Sequence, residues 1–283
     1  MIGFYCINKR TGDTSAYCVN KVKRRFKVKC GHMGTLDPLA SGVLPVAVGQ
    51  ATRLFDLLLE KEKSYDAVFD FAYDTPSFDL ETEPLNHSEK IPTEDEIKAV
   101  LPKMIGEIMQ VPPAYSAKCV DGTRSYKLAR HGKAVELPPK KITIYSIELL
   151  GRESESAFRF KIVCSGGTYI RSIARDLAKN LGCFATMTSL VRTSSGPFTI
   201  LNSITCQQLE DADAEKYLIK PQDVLNFPVV VLNEKQAKRM VDGLFDEYDL
   251  ADGLYKVFSG QEFWGVGIVN NRLLKMKVYV RDL

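Results

Sequence analysis

One aspartate stands alone in the stretch CGHMGTLDPLASGVLP (30–45). Asp37 has four uncharged residues on either side, and the other titratable groups of the stretch are the imidazole of His32 and the thiol of Cys30. Many Asp-Pro pairs are turn aspartates bonding their own backbone. A carboxylate set in an apolar, glycine- and proline-punctuated loop can also act as a covalent nucleophile at an anomeric carbon. In an apolar pocket that acid would be protonated and inert unless a cation holds it ionised. Arginine suits the task, because it stays charged when buried and meets a carboxylate bidentately. Just upstream, KVKRRFKVK (21–29) carries six positive charges and no negative one. A solitary acid beside bare positive charge suits chemistry on a nucleic acid, where cations bind phosphates and stacking or base-edge contacts choose the base.

Several elements must position these groups. In YDAVFDFAY (65–73) Tyr65, Ala67, Phe69, Phe71 and Tyr73 share one face of a predicted strand, with Asp66 and Asp70 on the other. The segment 50–59 reads as an amphipathic helix, and TEDE (93–96) as a capping box opening a helix that Pro102 ends or kinks. Two more strands are predicted over 142–150 and 158–164. Gly166 and Gly167 then break the chain and launch a helix buried through Ile170, Ile173, Ala174, Leu177 and Leu181 and closed by Gly182. Arg171 falls in its first turn, beside the strand end. This order of elements, without regular βαβ spacing, predicts an α+β fold with a mixed, largely antiparallel sheet flanked by helices. From Val229 onward, short apolar runs parted by glycine predict a small all-β module. The division falls into 1–225 and 226–283.

Composition narrows the class. With 283 residues, 45% hydrophobic and 26% charged, the chain can build a large core. Seven scattered cysteines without a C-x-x-C pair argue against disulfides and zinc, and three separated histidines against a histidine-bound metal. No apolar run reaches membrane-spanning length and no signal peptide is visible, so a cytoplasmic monomer is the expectation. The net charge is only +3, but base is segregated. A second basic tract runs from Lys118 through Arg124 and Arg130 to Lys141, and acid gathers in 66–96 and 210–215. Such segregation fits one face for a polyanion, formed by Lys23, Arg24, Arg25, Lys118, Arg124 and Arg130.

The segment GHMGTLDPLASGVLP (31–45) closely resembles the signature of the TruB family of tRNA pseudouridine synthases. The likeness continues in KEKSY (61–65), in VPPAYSA (111–117) with GTRSY (122–126) and ARHG (129–132), in GTYIRSIARD (167–176), and in LVRTSSGPF (190–198). Five ordered blocks are far more specific than any one alone. The resemblance implies the pseudouridine synthase fold and a cofactor-free, metal-free isomerisation of the T-loop uridine, position 55, of transfer RNA. The base is flipped out, its glycosidic bond is cut, and it is rejoined through C5. Asp37 would be the nucleophile, attacking C1′ or C6 or abstracting the C2′ proton, Arg171 would be the ion-pair partner that holds it charged, and Tyr65 would pack on the flipped uracil near C5, where a proton must leave. His32 would fill the space the base leaves, Leu190 would touch the base, and Lys9 matches a family lysine near the active-site loop, among the RNA-binding residues. The C-terminal module resembles a shortened PUA-like domain.

The chain departs from the family pattern in three places. Arg10 stands where a proline is usual, Val191 where a second arginine is common, and Gly166-Gly167 where a lysine or arginine is often found. Two further readings stay open: a pseudouridine synthase for another RNA, and a non-catalytic RNA-binding or tRNA-folding protein.

Overall fold

The computed structural model describes residues 1–59, 61–116, 119–120, 123–125, 128 and 137–281. Its first strands are β1 (Gly3–Lys9), β2 (Cys30–His32), β3 (Ser41–Val48), β4 (Lys63–Asp70) and β5 (Gly106–Gln110). A short hairpin, β6 (Cys119–Val120) and β7 (Thr123–Arg124), precedes β8 (Lys140–Arg152), β9 (Ala157–Cys164), β10 (Thr186–Ser195) and β11 (Phe198–Thr199). All but the hairpin form one nine-stranded sheet in the order β1-β3-β10-β4-β9-β8-β5, with β2 added to β3 and β11 to β10. Only the β3–β10 pair is parallel, so the sheet is mixed and largely antiparallel as predicted. That crossing brings the Asp37 loop, which enters β3, beside β10 and the block 190–198.

The alternation along β4 does what period two requires. Tyr65, Ala67, Phe69 and, just beyond the strand, Phe71 are buried; Phe69 stacks on Phe160 of β9 and Phe71 meets Phe158 edge-on. Tyr73 has left the strand and makes an isolated bridge to His87. On this face lie α1 (Ser15–Phe26), α3 (Glu94–Val100) and α4 (Ile170–Leu181), whose Cys18, Val22, Ile97, Ile173 and Leu177 complete the main core. The predicted box on α3 is present, with Thr93 and Glu96 capping each other's backbone amides. Gly182 ends α4 in the left-handed conformation at φ 70°. The 50–59 segment begins as a 3₁₀ turn (Gly49–Leu54), and only α2 (Phe55–Leu59) is α-helical.

After the short helix α5 (Pro221–Val224), a second sheet runs in the order β12 (Val229–Leu232), β13 (Gly253–Ser259), β14 (Glu262–Asn270), β15 (Leu273–Tyr279). One helix, α6 (Glu234–Val241), interrupts it, so this part is not all-β. The periodicity missed there is short: Ala237 and Met240 are its buried residues, behind an Asn233–Gln236 capping box. Val266 and Val280 of this part share a second core with Phe4, Cys6, Val43 and Phe198 on the opposite face of the main sheet. Among the described residues, no helix is long and apolar enough to cross a membrane.

Candidate active site

Asp37 and Arg171 meet. The Asp37 Oδ2 lies 2.9 Å from Nη2 of Arg171, whose side chain is 4% exposed against 39% for the aspartate. The arginine is thus the buried, fixed member, and the carboxylate opens into a cavity of about 290 Å³ that Tyr65 and Leu190 also line. The guanidinium also donates to the carbonyls of Ser77 and Tyr115, both at 3.0 Å. It also reaches Asp79 Oδ2 at 3.3 Å.

Asp79 corrects the reading of a solitary acid. Its side chain is 3% exposed, so a second carboxylate shares the arginine. The segment DTPSFD (74–79) was not singled out from the sequence, although a buried guanidinium carries five N–H donors, and two carbonyls and one carboxylate leave room for a further acceptor. Burial pushes the Asp37 carboxyl above its ordinary range; Arg171 pulls it down and Asp79 pushes it further up. The arginine therefore orients Asp37 and moderates its rise without cancelling it.

The Asp37 loop is fastened on three sides. Lys9 is fully buried, and its Nζ donates to the carbonyls of Pro38 (3.3 Å), Asp13 (2.7 Å) and Arg10 (3.0 Å). It cannot meet RNA as the sequence suggested; it holds the loop from beneath, and desolvation lowers its pKa. Ser15, the first residue of α1, both gives and takes a 2.9 Å hydrogen bond with the Leu36 backbone. Arg192 on β10 is 1% exposed and donates to the carbonyls of Val43 (2.7 Å), Gly34 (3.0 Å) and Thr35 (3.4 Å). Neither Ser15 nor Arg192 was singled out from the sequence, although an arginine inside the strand-like run LVRTSS was a sign of one needing internal acceptors.

Tyr65 and Leu190 are 6% and 8% exposed, one apolar wall each. Burial raises the Tyr65 phenol above its usual pKa, with Arg192 opposing. His32 sits on β2 opposite Val46, outside the cavity lining. Its Nδ1 is buried without a partner among the described residues, and burial lowers its pKa, which favours the neutral ring that stacking needs.

The predicted basic face divides. Lys23 and Arg24 line a separate, larger groove of about 720 Å³ with Lys27 and Lys29, at the C-terminal end of α1. Among the described residues that groove has no carboxylate in its lining, so it can bind an anion but offers no acid for the Asp37 role. Arg25 is committed elsewhere: its guanidinium donates to the carbonyls of Leu209, Asp211 and Ala212 at 3.1–3.3 Å. Those bonds correct its place on the RNA face, since they tie α1 to the 209–212 turn. Lys118 and Arg130 lie outside the described residues, as does the side chain of Arg124. Among the described residues, no three His, Cys, Asp or Glu side chains are grouped to hold a metal ion.

The same overall fold occurs in solved structures whose titles describe H/ACA assemblies. A Cbf5-Nop10-Gar1 complex aligns with a TM-score of 0.71 and 26% identity over 99% of this chain and 84% of that one. An H/ACA RNP bound to a substrate RNA containing 2'-deoxyuridine aligns at 0.72 and 24% identity, over 99% and 85%. Residues 21–170 match the TruB family pseudouridylate synthase N-terminal domain, and residues 171–225 match the tRNA pseudouridylate synthase B C-terminal domain. Fold and family domains together define a pseudouridylate synthase, and the chain belongs to the TruB family. The tRNA pseudouridine synthase B of Clostridium kluyveri is 40% identical over 99% of this chain and all of that protein. The one from Anaplasma marginale is 45% identical over 77% of this chain and 73% of its own length.

Proposed function

We propose that this chain isomerises uridine to pseudouridine in transfer RNA, at the T-loop uridine, with Asp37 as the nucleophile. The observation that carries the reading is the 2.9 Å Asp37–Arg171 pair opening into a cavity walled by Tyr65 and Leu190. The target base must leave its stack, at a cost of a few kcal/mol. Stacking on Tyr65 returns about 1–3 kcal/mol of that, and Leu190, on the neighbouring strand, adds apolar contact. His32, uncharged and close to the Asp37 loop, is suited to the gap left in the RNA. The reaction moves one C–N bond to a C–C bond without net oxidation, so a carboxylate nucleophile and a proton path suffice for it.

Incubating the purified chain with an unmodified transfer RNA transcript and mapping pseudouridines tests this. One new pseudouridine in the T-loop is expected, and none in a transcript whose T-loop uridine is cytidine. Modification elsewhere would assign another RNA position, and binding without modification would support the non-catalytic reading.

The groove at the end of α1 would carry phosphates. Replacing Lys23 and Arg24 by Gln should weaken tRNA binding at every sequence tested and lower the slope of log Kd against log salt by about 1–2. An unchanged slope would remove the groove from the RNA path.

A further inference from the structure

Lys63 is the cavity's unexplained group. It stands on β4 two residues before Tyr65, so both side chains leave the same face of the strand and line the same cavity. The residue is 5% exposed, yet its ammonium makes no hydrogen bond or ion pair with any described residue. It reaches to 3.2 Å from the point where a side chain on Gly34 would begin, and so lies against the loop that carries Asp37. A buried, unpartnered ammonium is costly to hold, and such groups are retained in sites where their charge is used.

The charge balance indicates what uses it. Among the described residues, Lys63, Lys140, Arg171 and Arg192 line the cavity against one carboxylate, that of Asp37. Arg171 is spent on Asp37 and Asp79, and Arg192 on three carbonyls. Lys63 and Lys140 remain for an anionic oxygen that the substrate brings or develops. Their depths differ. Lys140 is exposed at the mouth, where its Nζ lies 2.7 Å from the position a Cβ on Gly167 would take. An RNA backbone would stay at that mouth, and a flipped base would go deeper, to Tyr65 and Lys63.

We propose that Lys63 is a further catalytic residue, donating its N–H to the uracil oxygen on which negative charge accumulates as the base is detached. This rests on the isomerase reading above. Whichever way Asp37 engages, an electron pair moves onto the ring. When the N1–C1′ bond breaks, the pair stays on N1 and spreads to O2 and O4; when a nucleophile adds at C6, it spreads from C5 to O4. Rejoining C5 to C1′ returns the pair to a sugar–base bond, the C5 proton leaves and N1 ends protonated. The lysine keeps all its protons throughout. It acts as a fixed charge in a site with little water, where such a donor is worth about 10²–10³ in rate.

Lys63→Met tests this, with Lys63→Arg as the charge-keeping control. Single-turnover conversion at saturating enzyme should fall by about 10²-fold in the Met variant, with tRNA Kd and its salt slope unchanged and partial recovery in the Arg variant. The Met variant should melt at the same temperature or higher, since it removes a buried unpaired charge. The wild-type rate should also lose an alkaline limb on substitution. Burial, with Arg192 on β10 and Lys140 on β8 repelling and Cys164 on β9 attracting, brings Lys63 to about 8, so activity that needs the ammonium falls as pH rises through that value. Unchanged conversion by a folded Met variant, beside active wild type, overturns the proposal and leaves the isomerase reading intact. So does a weaker Kd with a shallower salt slope and an unchanged rate, which would make Lys63 a phosphate contact. Inactive wild type overturns the isomerase reading itself.

Discussion

Asp37→Asn should leave transfer RNA bound with near-native Kd and reduce pseudouridine formation by about 10⁴-fold or more, the scale on which loss of a member of a covalent catalytic unit acts. The amide matches the carboxylate in shape, so the loop fastened by Lys9, Ser15 and Arg192 stays in place. What is lost is a formal negative charge and the lone pair that forms the bond. The same dependence sets the acid limit of the wild-type enzyme. Asp37 acts when ionised, and its raised pKa means that activity disappears, as pH falls, at a higher pH than an ordinary aspartate near 3.9 would give. Single-turnover rates between pH 4 and 8 check the sign. An acid limb below the ordinary aspartate value would contradict the burial argument, and retained turnover in Asp37→Asn would remove the nucleophile.

Arg171→Met should cost the fold about 3–5 kcal/mol, the range for breaking one side of a buried ion pair, besides abolishing turnover. Asp79, 3% exposed, would be left as an unpaired buried carboxylate, and the carbonyls of Ser77 and Tyr115 would each lose a donor. Asp37, open to the cavity, can be hydrated in its place. Most of the loss should therefore trace to Asp79. Urea denaturation of Arg171→Met/Asp79→Asn should recover a substantial part of it, a non-additivity expected of contacting residues. Purely additive effects of the two substitutions would show that the Arg171–Asp79 contact is not what holds this corner together.

The parts of the site that the sequence revealed are those with a local signature. Asp37 was visible because its neighbours carry no charge, Tyr65 because β4 alternates cleanly, and the start of α4 because two glycines break the chain before a helical stripe. The resemblance to TruB then attached Arg171, Leu190 and His32 to that loop. Groups that work through tertiary contacts left no such mark. The resemblance put Lys9 near the Asp37 loop but as an RNA contact, until β1 is seen to run beneath that loop, and Arg25 reads as part of a basic run until its carbonyl partners from residues 209–212 appear. Asp79 hides in a turn-forming segment, because the demand for it comes from a guanidinium far along the chain. Sheet order was likewise illegible: nothing local says that β10 inserts between β3 and β4, yet that insertion brings Arg192 and Leu190 to the cavity. The helix α6 was missed because eight residues give too few turns for a periodic signal.

The central claim is spatial: the RNA must deliver one nucleoside to the Asp37–Arg171 pair. A crystal structure of the Asp37→Asn variant with a T-arm stem-loop, unreacted because the nucleophile is gone, tests it most directly. The target uridine should be out of its stack with uracil against Tyr65 and its C1′ or C6 within about 3.5 Å of the residue 37 side chain, a near-attack distance. A uridine that stays stacked in the loop, or one bound in the groove of Lys23 and Arg24 with the cavity empty, would contradict the account.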